Sequence, residues 1–545
     1  MYRRMMRIGA ASVILILSLG LLMYAHTEAD TGLKKAVIQE CILSTVQKDG
    51  TEGISLYAKL EGDIPLWIDS WEKDGRRWLF LPSLFRGQEA SFQDELLILE
   101  EGRRKLPAKG GGETEIQILF GSEIPFACLE TESGSMDFLK ESKENKEKGG
   151  LCFVGTDHTL EYTGNLSKVK IRGNATRLQP KSPFRIKLEK AASLAGLGAS
   201  RDYVLLAEYG DISLMYNKAA MELAGRTTKL YEPYGEHMDL YVNGEYMGVY
   251  LLCEGISIGE NRLEIRDLEH ETDMLNAGKL DAYEPFAEMS DEDTMAKGYK
   301  IPNNPEDITG GYLLELEYHG RYEGEEEVGF RTARDWSLVV KEPSCASREQ
   351  VSYIQEKFQQ AENAMYAQDW TEPEKGLPLE RLVDMESFVH KYLVDEICMN
   401  TDLWTSQFLY KNRGDAPFCF GPIWDYDMAF GHYDTGFSPE EFYANWHIWY
   451  EEVYENPKFQ QILRQEYQER YLPVLKELTD TKLQEWKARL ASSAEMNFTR
   501  WDIEEIYSRN SIIHTGDSFG ECVDSLENFI KTRTEFLSSE WVEKP

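Results

Sequence analysis

The chain has 545 residues and a formal net charge of −36 at pH 7, with 42% hydrophobic and 12% aromatic residues. This length and apolar content predict a large folded core in two or more domains, or one domain with substantial additions. The acidic excess argues against nucleic acid and anionic lipid headgroups as partners. It fits a basic protein substrate or a metal-bearing ligand, and it fits simple solubility equally well.

The N-terminus carries a targeting signal. Arg3, Arg4 and Arg7 precede an apolar run over residues 8–25, a pattern that predicts a signal peptide or signal anchor within residues 1–29. The remainder is then extracytoplasmic, either secreted or held at the membrane by this segment alone. An apolar run of about 18 residues is intermediate in length between a signal-peptide core and a membrane-spanning helix. The sequence is therefore compatible both with cleavage of this segment and with its retention as an anchor.

The first folded part is predicted to be a β-rich module over residues 30–130. Short alternating runs such as 54–58 and 78–81 are separated by Gly and Pro, as in strands joined by turns. Residues 140–150 are mostly charged and predict an exposed loop or a frayed helix.

A core region is predicted over residues 131–435. Runs at 169–171 and 184–188 predict strands, and Asp211 is expected to open a helix that reaches about residue 224. Two alternating runs at 238–242 and 246–252, joined by Asn243-Gly244, predict a hairpin with a type I′ turn. The acidic residues 270–308 predict a long insertion, and 311–317 and 337–341 predict further strands.

Helices are predicted after residue 350. Asp384 is a good N-cap for a helix with apolar residues at i, i+3, i+4 and i+7 spacing. This helix leads into Asn400-Thr401-Asp402. Residues 436–545 predict a helical C-terminal extension.

The elements around Asp402 follow the order of the catalytic region of protein kinases, in which a helix, an Asp loop, two short strands and an acidic site succeed one another. Asp402 can orient an acceptor hydroxyl, while Asp425 and Asp427 can hold magnesium on the nucleotide phosphates. In an extended segment these two carboxylates share one side. A lone loop Asp is more often a turn residue, but carboxylates in apolar surroundings need a partner, so the combination favours chemistry. Gln407 stands where kinases place a metal-binding Asn.

Cationic groups for phosphates are also present. Lys187 lies on the predicted strand 184–188, on the side opposite to its apolar residues. Arg172 and Asn174 lie in a loop that can bring a guanidinium and backbone donors to phosphates, although a Gly-Asn pair also makes an ordinary turn. Glu254 is predicted to pair with Lys187, as a kinase helix Glu does.

Several segments resemble the CotH kinase family, and they occur in the order found in that family. The matching segments are Lys170-Ile171-Arg172-Gly173-Asn174-Ala175-Thr176, Lys181-Ser182-Pro183-Phe184-Arg185-Ile186-Lys187-Leu188, Tyr241-Val242-Asn243-Gly244-Glu245-Tyr246-Met247-Gly248-Val249-Tyr250, Gly310-Gly311-Tyr312-Leu313-Leu314-Glu315-Leu316-Glu317, Val340-Lys341-Glu342-Pro343, Asn400-Thr401-Asp402, Leu409-Tyr410-Lys411-Asn412 and Gly421-Pro422-Ile423-Trp424-Asp425-Tyr426-Asp427-Met428-Ala429-Phe430-Gly431.

The resemblance implies an α+β, atypical protein-kinase-like fold with a β-rich N-lobe and a helical C-lobe. It implies transfer of phosphate from ATP, with Mg or Mn, to serines of extracytoplasmic or spore-coat proteins. Asp402 would be the base, Asp425 and Asp427 the metal-binding acids, and Lys187 the phosphate-binding lysine. Gln407 departs from the family's usual Asn, so metal binding in altered geometry and a degenerate member are both compatible with it.

Three functions therefore compete. The first is an active Ser/Thr kinase, and the second is a pseudokinase or assembly protein of the envelope or spore coat. The third is a carbohydrate-active enzyme with a carboxylate pair, suggested by the many Trp and acidic residues of an exported chain. No repeat or sugar-binding pattern supports the third.

Overall fold

The structure, a computed structural model, describes residues 34–48, 51–93, 95–107, 113–289 and 294–542. The predicted signal segment at 1–29 lies outside these residues. Across the described ranges, no helix has both the length and the apolar character needed to cross a membrane. The chain divides into two compact units. Unit 1 comprises the described part of Met1–Ile212 with Gly235–Gly255 and Glu485–Arg509, and unit 2 comprises Ser213–Tyr234, Ile256–Gln484 and the described part of Asn510–Pro545.

The strands are, in chain order, β1 (Lys34–Lys35), β2 (Ile38–Lys48), β3 (Thr51–Leu60), β4 (Ile64–Asp69), β5 (Trp71–Lys73), β6 (Arg76–Leu81), β7 (Glu89–Phe92), β8 (Glu95–Ile98), β9 (Gly102–Pro107), β10 (Glu113–Phe120), β11 (Phe126–Thr131), β12 (Glu147–Val154), β13 (Thr159–Ile171), β14 (Phe184–Ser193), β15 (Ala199–Leu206), β16 (Gly235–Val242), β17 (Glu245–Glu254), β18 (Pro285–Met289), β19 (Thr294–Tyr299), β20 (Tyr312–Glu317), β21 (Gly329–Arg331), β22 (Ser337–Glu342), β23 (Gln407–Lys411) and β24 (Phe418–Phe420).

The α-helices are α1 (Asp137–Glu141), α2 (Tyr216–Thr227), α3 (Leu268–Leu275), α4 (His319–Glu325), α5 (Arg348–Met365), α6 (Leu379–Leu382), α7 (Met385–Cys398), α8 (Ile448–Val453), α9 (Pro457–Glu466), α10 (Leu472–Glu477), α11 (Leu483–Arg500), α12 (Ile503–Asn510) and α13 (Phe519–Trp541). Two π-helical turns, Tyr467–Tyr471 and Leu478–Lys482, follow α9 and α10.

The central feature of unit 1 is a sheet that closes on itself. Its strands follow the order β1-β13-β12-β11-β16-β17-β15-β14, and an additional pairing of β13 with β14 joins the two ends into a ring of β11 to β17. Strands β11 and β16 are parallel, and their neighbours in the ring are antiparallel. Apolar side chains at alternate positions fill the inside of the ring, including Val169, Ile186 and Leu252. The intervening residues therefore point outwards.

The predicted N-terminal module forms two small sheets in unit 1. Their orders are β5-β6-β10-β9 and β4-β3-β2-β7-β8. Their shared core includes Leu56, Phe80 and Ile118, and it extends to Phe126 and Tyr246 of the ring. The module is thus packed against the outside of the ring.

Unit 2 combines a sheet with helices. The sheet has the order β18-β19-β21-β22-β20-β23-β24, and α7 packs against β24 and α9. All residues of α7 except Glu386 are buried, so this helix has no solvent-facing stripe. These contacts hold α7 in place, and the candidate site begins at its C-terminal end.

The mixture of sheets and helices confirms the α+β class, and most predicted elements are present. The predicted runs lie within β3, β6, β14, β20 and β22, and Asp384 caps α7 by accepting a hydrogen bond from the Ser387 backbone N–H. Strands β16 and β17 form the predicted hairpin. Asn243 and Gly244 have φ of 50° and 83°, as a type I′ turn requires.

Four expectations need correction. The helix expected from Asp211 is α2, which begins at Tyr216, because residues 211–215 form turns with Leu214 at φ 58°. Residues 147–150 belong to β12 and are not an exposed loop. The insertion 270–308 contributes α3, β18 and β19, and β19 pairs with β21 inside the sheet of unit 2. The extension 436–545 is divided, since Glu485–Arg509 belongs to unit 1.

Candidate active site

The first component of the site is the Asp402 loop, residues 399–406, which follows α7. Met399 ends the helix with φ 47°. The Asn400 side-chain oxygen accepts a hydrogen bond from the Asp402 backbone N–H at 3.0 Å, and the Thr405 hydroxyl donates to the Asp402 carboxylate at 2.6 Å. Asp402 is partly exposed, whereas Asn400 is buried. The buried side chain of Asn400 therefore holds the backbone of Asp402, whose carboxylate is accessible to solvent.

The second component is the acidic segment, residues 421–431, which follows β24. Asp425 and Asp427 are partly exposed and Tyr426 between them is buried, so the predicted alternation is present. The backbone is not the extended segment that was expected, because Asp425 has φ 65°. A non-glycine residue in this region carries a conformational cost of about 1–3 kcal/mol, and such residues concentrate at functional sites.

Two hydrogen bonds attach the acidic segment, one to the Asp402 loop and one to the last residue of α7. The Thr401 hydroxyl donates to the Met428 carbonyl at 2.7 Å, and the Phe430 N–H donates to the Cys398 carbonyl at 2.7 Å. On the other side, the Asn217 side chain of α2 accepts the Tyr426 N–H at 2.9 Å. The three predicted aspartates are therefore carried by adjacent, mutually bonded loops of unit 2.

A buried ion pair in α7, Lys391 with Asp395, contacts Tyr426 of the acidic segment. Lys391 Nζ is 2.6 Å from both carboxylate oxygens of Asp395, one turn further along α7. The hydroxyls of Tyr426 and Tyr450 donate to the same carboxylate at 2.5 and 2.8 Å. Burial, with Asp395 as a further cause, raises the pKa of Tyr426 well above its usual value, so its hydroxyl stays a donor. Asp395 thereby connects α7 to the acidic segment.

Gln407 is buried on β23, directly after the Asp402 loop. Its amide nitrogen is 3.4 Å from the carbonyls of Asp402 and Thr405, which is long for a hydrogen bond. The β23 strand continues into the pairing of Leu409 with Phe420 of β24. Gln407 thus supports the Asp402 loop from the sheet, and its side-chain carbonyl remains a chemically suitable metal ligand.

The side chains at this site can supply only part of the coordination shell of magnesium or manganese. Asp425, Asp427 and Gln407 supply hard oxygen ligands. Within the part of the chain that the structure describes, no group of three or more His, Cys, Asp or Glu side chains is placed to hold a metal ion. Mg²⁺ commonly binds through one or two carboxylates and completes its shell with water and substrate phosphates, and the set present here suits that mode.

The remaining predicted residues belong to unit 1. Arg172 and Asn174 follow β13 in a loop where the Arg172 N–H donates to the Pro183 carbonyl at 3.0 Å. Gly173 has φ 84°, and a Cβ there would overlap the Thr176 hydroxyl. Lys187 lies on the outside of the ring, with its Nζ 3.7 Å from Asp202 on the adjacent strand β15.

The predicted Lys187–Glu254 pair is wrong. Lys187 is directly opposite Asp202, while the next residue of β15, Tyr203, is directly opposite Glu254. Because successive residues of a strand face opposite sides, Glu254 lies on the side of the sheet away from Lys187. Glu254 is buried at the end of β17.

Lys181 and Gly248, which belong to the resembling motifs, have structural roles in unit 1. Lys181 Nζ is buried and donates to the carbonyl of Val249 at 2.5 Å and to the side chain of Asn497 at 2.9 Å. Burial lowers the pKa of Lys181 to about 7. Gly248 has φ 110°, and a Cβ there would overlap Asn497. These contacts attach α11 to the ring.

The comparison with known families identifies the family of the chain. The family described as CotH kinase protein matches residues 169–537, which is most of the chain. The chain belongs to the CotH kinase family. This match includes both the Asp402 loop and the acidic segment, and it implies a kinase-like function. A comparison with curated proteins finds no match.

Sequence reasoning missed the residues that support the site, chiefly Asn217, Lys391, Asp395 and Tyr450. One signal was available for two of them, because Lys391 and Asp395 lie four residues apart in a helix whose other residues are almost all buried. Charges in such a helix require each other as partners. Asn217 and Tyr450 meet Tyr426 and Asp395 only through the tertiary fold and have no comparable local signal.

Proposed function

We propose that this protein is an extracytoplasmic atypical protein kinase that transfers the γ-phosphate of ATP to Ser or Thr hydroxyls of secreted, envelope or spore-coat proteins. The observation that carries the proposal is the attachment of the acidic segment to the Asp402 loop through Thr401–Met428 and to the end of α7 through Cys398–Phe430. Phosphoryl transfer needs one carboxylate that orients the acceptor hydroxyl and others that bind the metal, at a fixed separation from it. The two hydrogen bonds can hold Asp402 at a fixed distance from Asp425 and Asp427.

In this mechanism the Asp402 carboxylate accepts the proton of the acceptor hydroxyl. The hydroxyl oxygen forms a bond to the γ-phosphorus while the bond from that phosphorus to the β,γ-bridging oxygen breaks, and ADP leaves with the electron pair. Asp425 and Asp427, with Gln407, would hold Mg²⁺ or Mn²⁺, which neutralises charge on the phosphates when bound. Lys187, with Arg172 and Asn174, would contact the ATP phosphates.

The predicted partner is a Ser-rich protein, and a basic one fits best, since the chain has 95 acidic and 59 basic residues. Opposite charge speeds association and favours such a substrate over an acidic one. The predicted signal peptide or anchor at residues 1–29 supports an extracytoplasmic or membrane-attached location.

The test is phosphate transfer from radiolabelled ATP by the full-length chain, to itself and to a Ser-rich basic protein, with Mg²⁺ or Mn²⁺. We expect labelling by the wild type and its loss in Asp402→Ala and Asp425→Ala. Asp415→Ala is the matched control, because Asp415 is an exposed turn residue of the same unit. Labelling that persists in Asp402→Ala would contradict the assigned base.

Gln407 is the observation that favours a second candidate, a pseudokinase or assembly protein that keeps the fold without turnover. Gln is one methylene longer than the Asn usual in the family, and displacement of a catalytic group by about 1 Å can cost a hundredfold in rate. Gln407→Asn separates the candidates. A gain in labelling on the order of tenfold indicates a weakened kinase, whereas nucleotide binding without labelling in both forms indicates a pseudokinase.

A further inference from the structure

Two cysteines of unit 1 lie directly opposite each other on neighbouring strands of the ring. Strands β11 and β12 are antiparallel, and their register pairs Cys128 with Cys152. Directly opposed residues of an antiparallel pair have Cα atoms about 4.5–5.5 Å apart, which lies within the range of about 4.4–6.8 Å that disulfides span. The backbone therefore holds this pair at a separation that an S–S bond can bridge.

Both cysteine side chains point to the same side of the sheet. The residues that flank them belong to the interior of the ring, namely Ala127, Leu129, Leu151 and Phe153. Cys128 and Cys152 instead belong to the core that the N-terminal module shares with the outside of the ring. Because successive residues of a strand face opposite sides, the two thiols lie together beneath the module, and a shared side is the second geometric requirement of a disulfide.

The register gives the other strand cysteines different neighbours. Cys41 lies opposite Ala58, Cys253 lies opposite Val204 and Gly235, and Cys419 lies opposite Tyr410. Among the cysteines on the described strands, only the pairing of β11 with β12 sets two thiols against each other. The even number of cysteines thus has one pair that the backbone selects.

The two thiols are buried in the folded protein. Cys128 and Cys152 are 6% and 3% exposed. Burial raises the pKa of Cys152 to about 12 and raises the pKa of Cys128 well above its usual value, with the neighbouring Cys152 as a further cause. The thiolate is the form that reacts with disulfides, so a bond between these cysteines has to form before the module covers them.

Early formation of such a bond is compatible with the order of the strands. β11 and β12 are consecutive in the chain, and Cys152 follows Cys128 by about two dozen positions. The other neighbour of β11 is β16, which comes much later in the sequence. A bond between β11 and β12 would hold these two strands together before β16 is available, and it would remove conformations from the unfolded chain.

We infer that Cys128 and Cys152 form a disulfide bond that joins β11 to β12 beneath the N-terminal module. The bond forms by exchange with a donor disulfide, either a small molecule such as oxidised glutathione or a protein. One cysteine thiolate attacks the donor and releases its first thiol, and the second thiolate attacks the mixed disulfide and releases the other. The cysteines thereby lose two protons and two electrons to the donor. The inference rests on the proposed extracytoplasmic location, where disulfides persist.

The test uses the full-length chain refolded in a mixture of oxidised and reduced glutathione and then unfolded in iodoacetamide, which blocks free thiols. Proteolysis after lysine separates the two cysteines, because Lys140 and Lys148 lie between them. We expect mass spectrometry to show the two peptides joined, and lighter by two hydrogen atoms than their sum. Alkylation of both cysteines, or a bond from either one to Cys41 of the same core, would overturn the inference.

The melting temperature is a second measurement. The oxidised wild type should melt about 5 °C or more above the same chain refolded without an oxidant, whereas Cys128→Ala/Cys152→Ala should melt at one temperature in both conditions. Cys41→Ala is the matched control, because it removes a buried thiol of the same core and should keep the difference. Loss of the difference in Cys41→Ala would contradict the assigned pair. If the double variant does not fold, the peptide analysis of the wild type decides alone.

The outcomes separate this inference from the proposed function. A refolded protein in which both thiols are free overturns the inference and leaves phosphate transfer unaffected. A bond that forms in glutathione but is missing from the chain isolated, with its thiols blocked, from the cells that make it upholds the pairing and contradicts the extracytoplasmic location. Loss of phosphate transfer in the wild type with the bond intact overturns the kinase proposal and upholds the disulfide.

Discussion

Two sets of cations in this protein have opposite surroundings. In unit 2, Lys391 is buried and bonds both oxygens of Asp395 at 2.6 Å, with two tyrosine hydroxyls completing the shell of that carboxylate. In unit 1, four partly exposed cations share the outer side of β13 and β14, namely Lys168, Lys170, Arg185 and Lys187, and Asp202 pairs only with Arg185 and Lys187. A cation with a complete buried shell belongs to the fold, whereas partly exposed cations with too few partners are available to a ligand.

The comparison predicts the largest loss of stability at Lys391. Lys391→Ala leaves the Asp395 charge buried without its cation, which should lower the free energy of unfolding by about 3–5 kcal/mol. Urea unfolding measures the change. The control is Lys375→Ala, because Lys375 is half-exposed and pairs with Glu356 at 3.3 Å, and such a pair contributes at most about 1 kcal/mol. Equal losses of unfolding free energy in the two variants would contradict the distinction between buried, fully paired cations and partly exposed ones.

Lys181 extends the comparison to pH. Its pKa is about 7 in the folded protein and 10.5 for a free side chain, so the unfolded chain binds more protons between these values and stability rises with pH there. The stability of the wild type relative to Lys181→Met should therefore increase from pH 7 to pH 9 by roughly 2 kcal/mol, at about 1.4 kcal/mol per pKa unit. Denaturant unfolding at several pH values checks this, with Lys190→Met at an exposed position as the control. A flat difference for Lys181→Met would mean that its amine stays charged.

Tyr426 and Tyr450 test whether the buried network positions the acidic segment. Both hydroxyls donate to Asp395, so Tyr426→Phe and Tyr450→Phe should each lower the free energy of unfolding by about 1 kcal/mol. Only Tyr426 lies between Asp425 and Asp427, so only its variant should also reduce kcat in the labelling assay, with KM little changed. A similar kcat in both variants would leave Asp395 a purely structural residue.

Lys187 should show the smallest effect on folding and a large effect on binding. Its side chain is 41% exposed and its ion pair is 3.7 Å long, so Lys187→Ala should change the free energy of unfolding by no more than about 0.5 kcal/mol. Phosphate transfer should nevertheless fall at least about tenfold. Lys190→Ala on the same strand is the control for both measurements. A destabilised Lys187→Ala would group Lys187 with the buried Lys391 and not with the partly exposed cations of β13 and β14.

Local sequence signals predicted the elements near the site well. Asp384 and the spacing after it located α7, and Asn243-Gly244 located the β16–β17 hairpin, because an N-cap and a type I′ turn depend on neighbouring residues only. The order of the motifs also located the Asp402 loop and the acidic segment. By contrast, residues 147–150 were assigned to a loop because charged residues and glycines carry no period-2 signal, although Gly149 and Gly150 are buried in β12.

Predictions that depended on strand register were less successful. The side of the sheet on which Glu254 lies follows from its pairing through β15 with Lys187, and a shift by one residue reverses it. No local pattern contains that information. The sequence shows that Arg185 and Lys187 alternate with apolar residues, as Lys168 and Lys170 do. Only the β13–β14 pairing shows that these two rows of cations are neighbours.

Unit 1 is built from segments that lie far apart in the chain, and this affects how the protein folds during synthesis. Strand β11 pairs with β16, more than a hundred residues later in the chain, and α11 is attached still later through Ser493 to Asp239 and through Asn497 to Val249. During synthesis the ring therefore waits for residues 239–254, and its outer contacts wait for residues 493–497. Pairings between distant segments fold slowly and leave apolar strands exposed meanwhile. A nascent chain that stops before Ser493 would leave the earliest folded part of the protein incomplete.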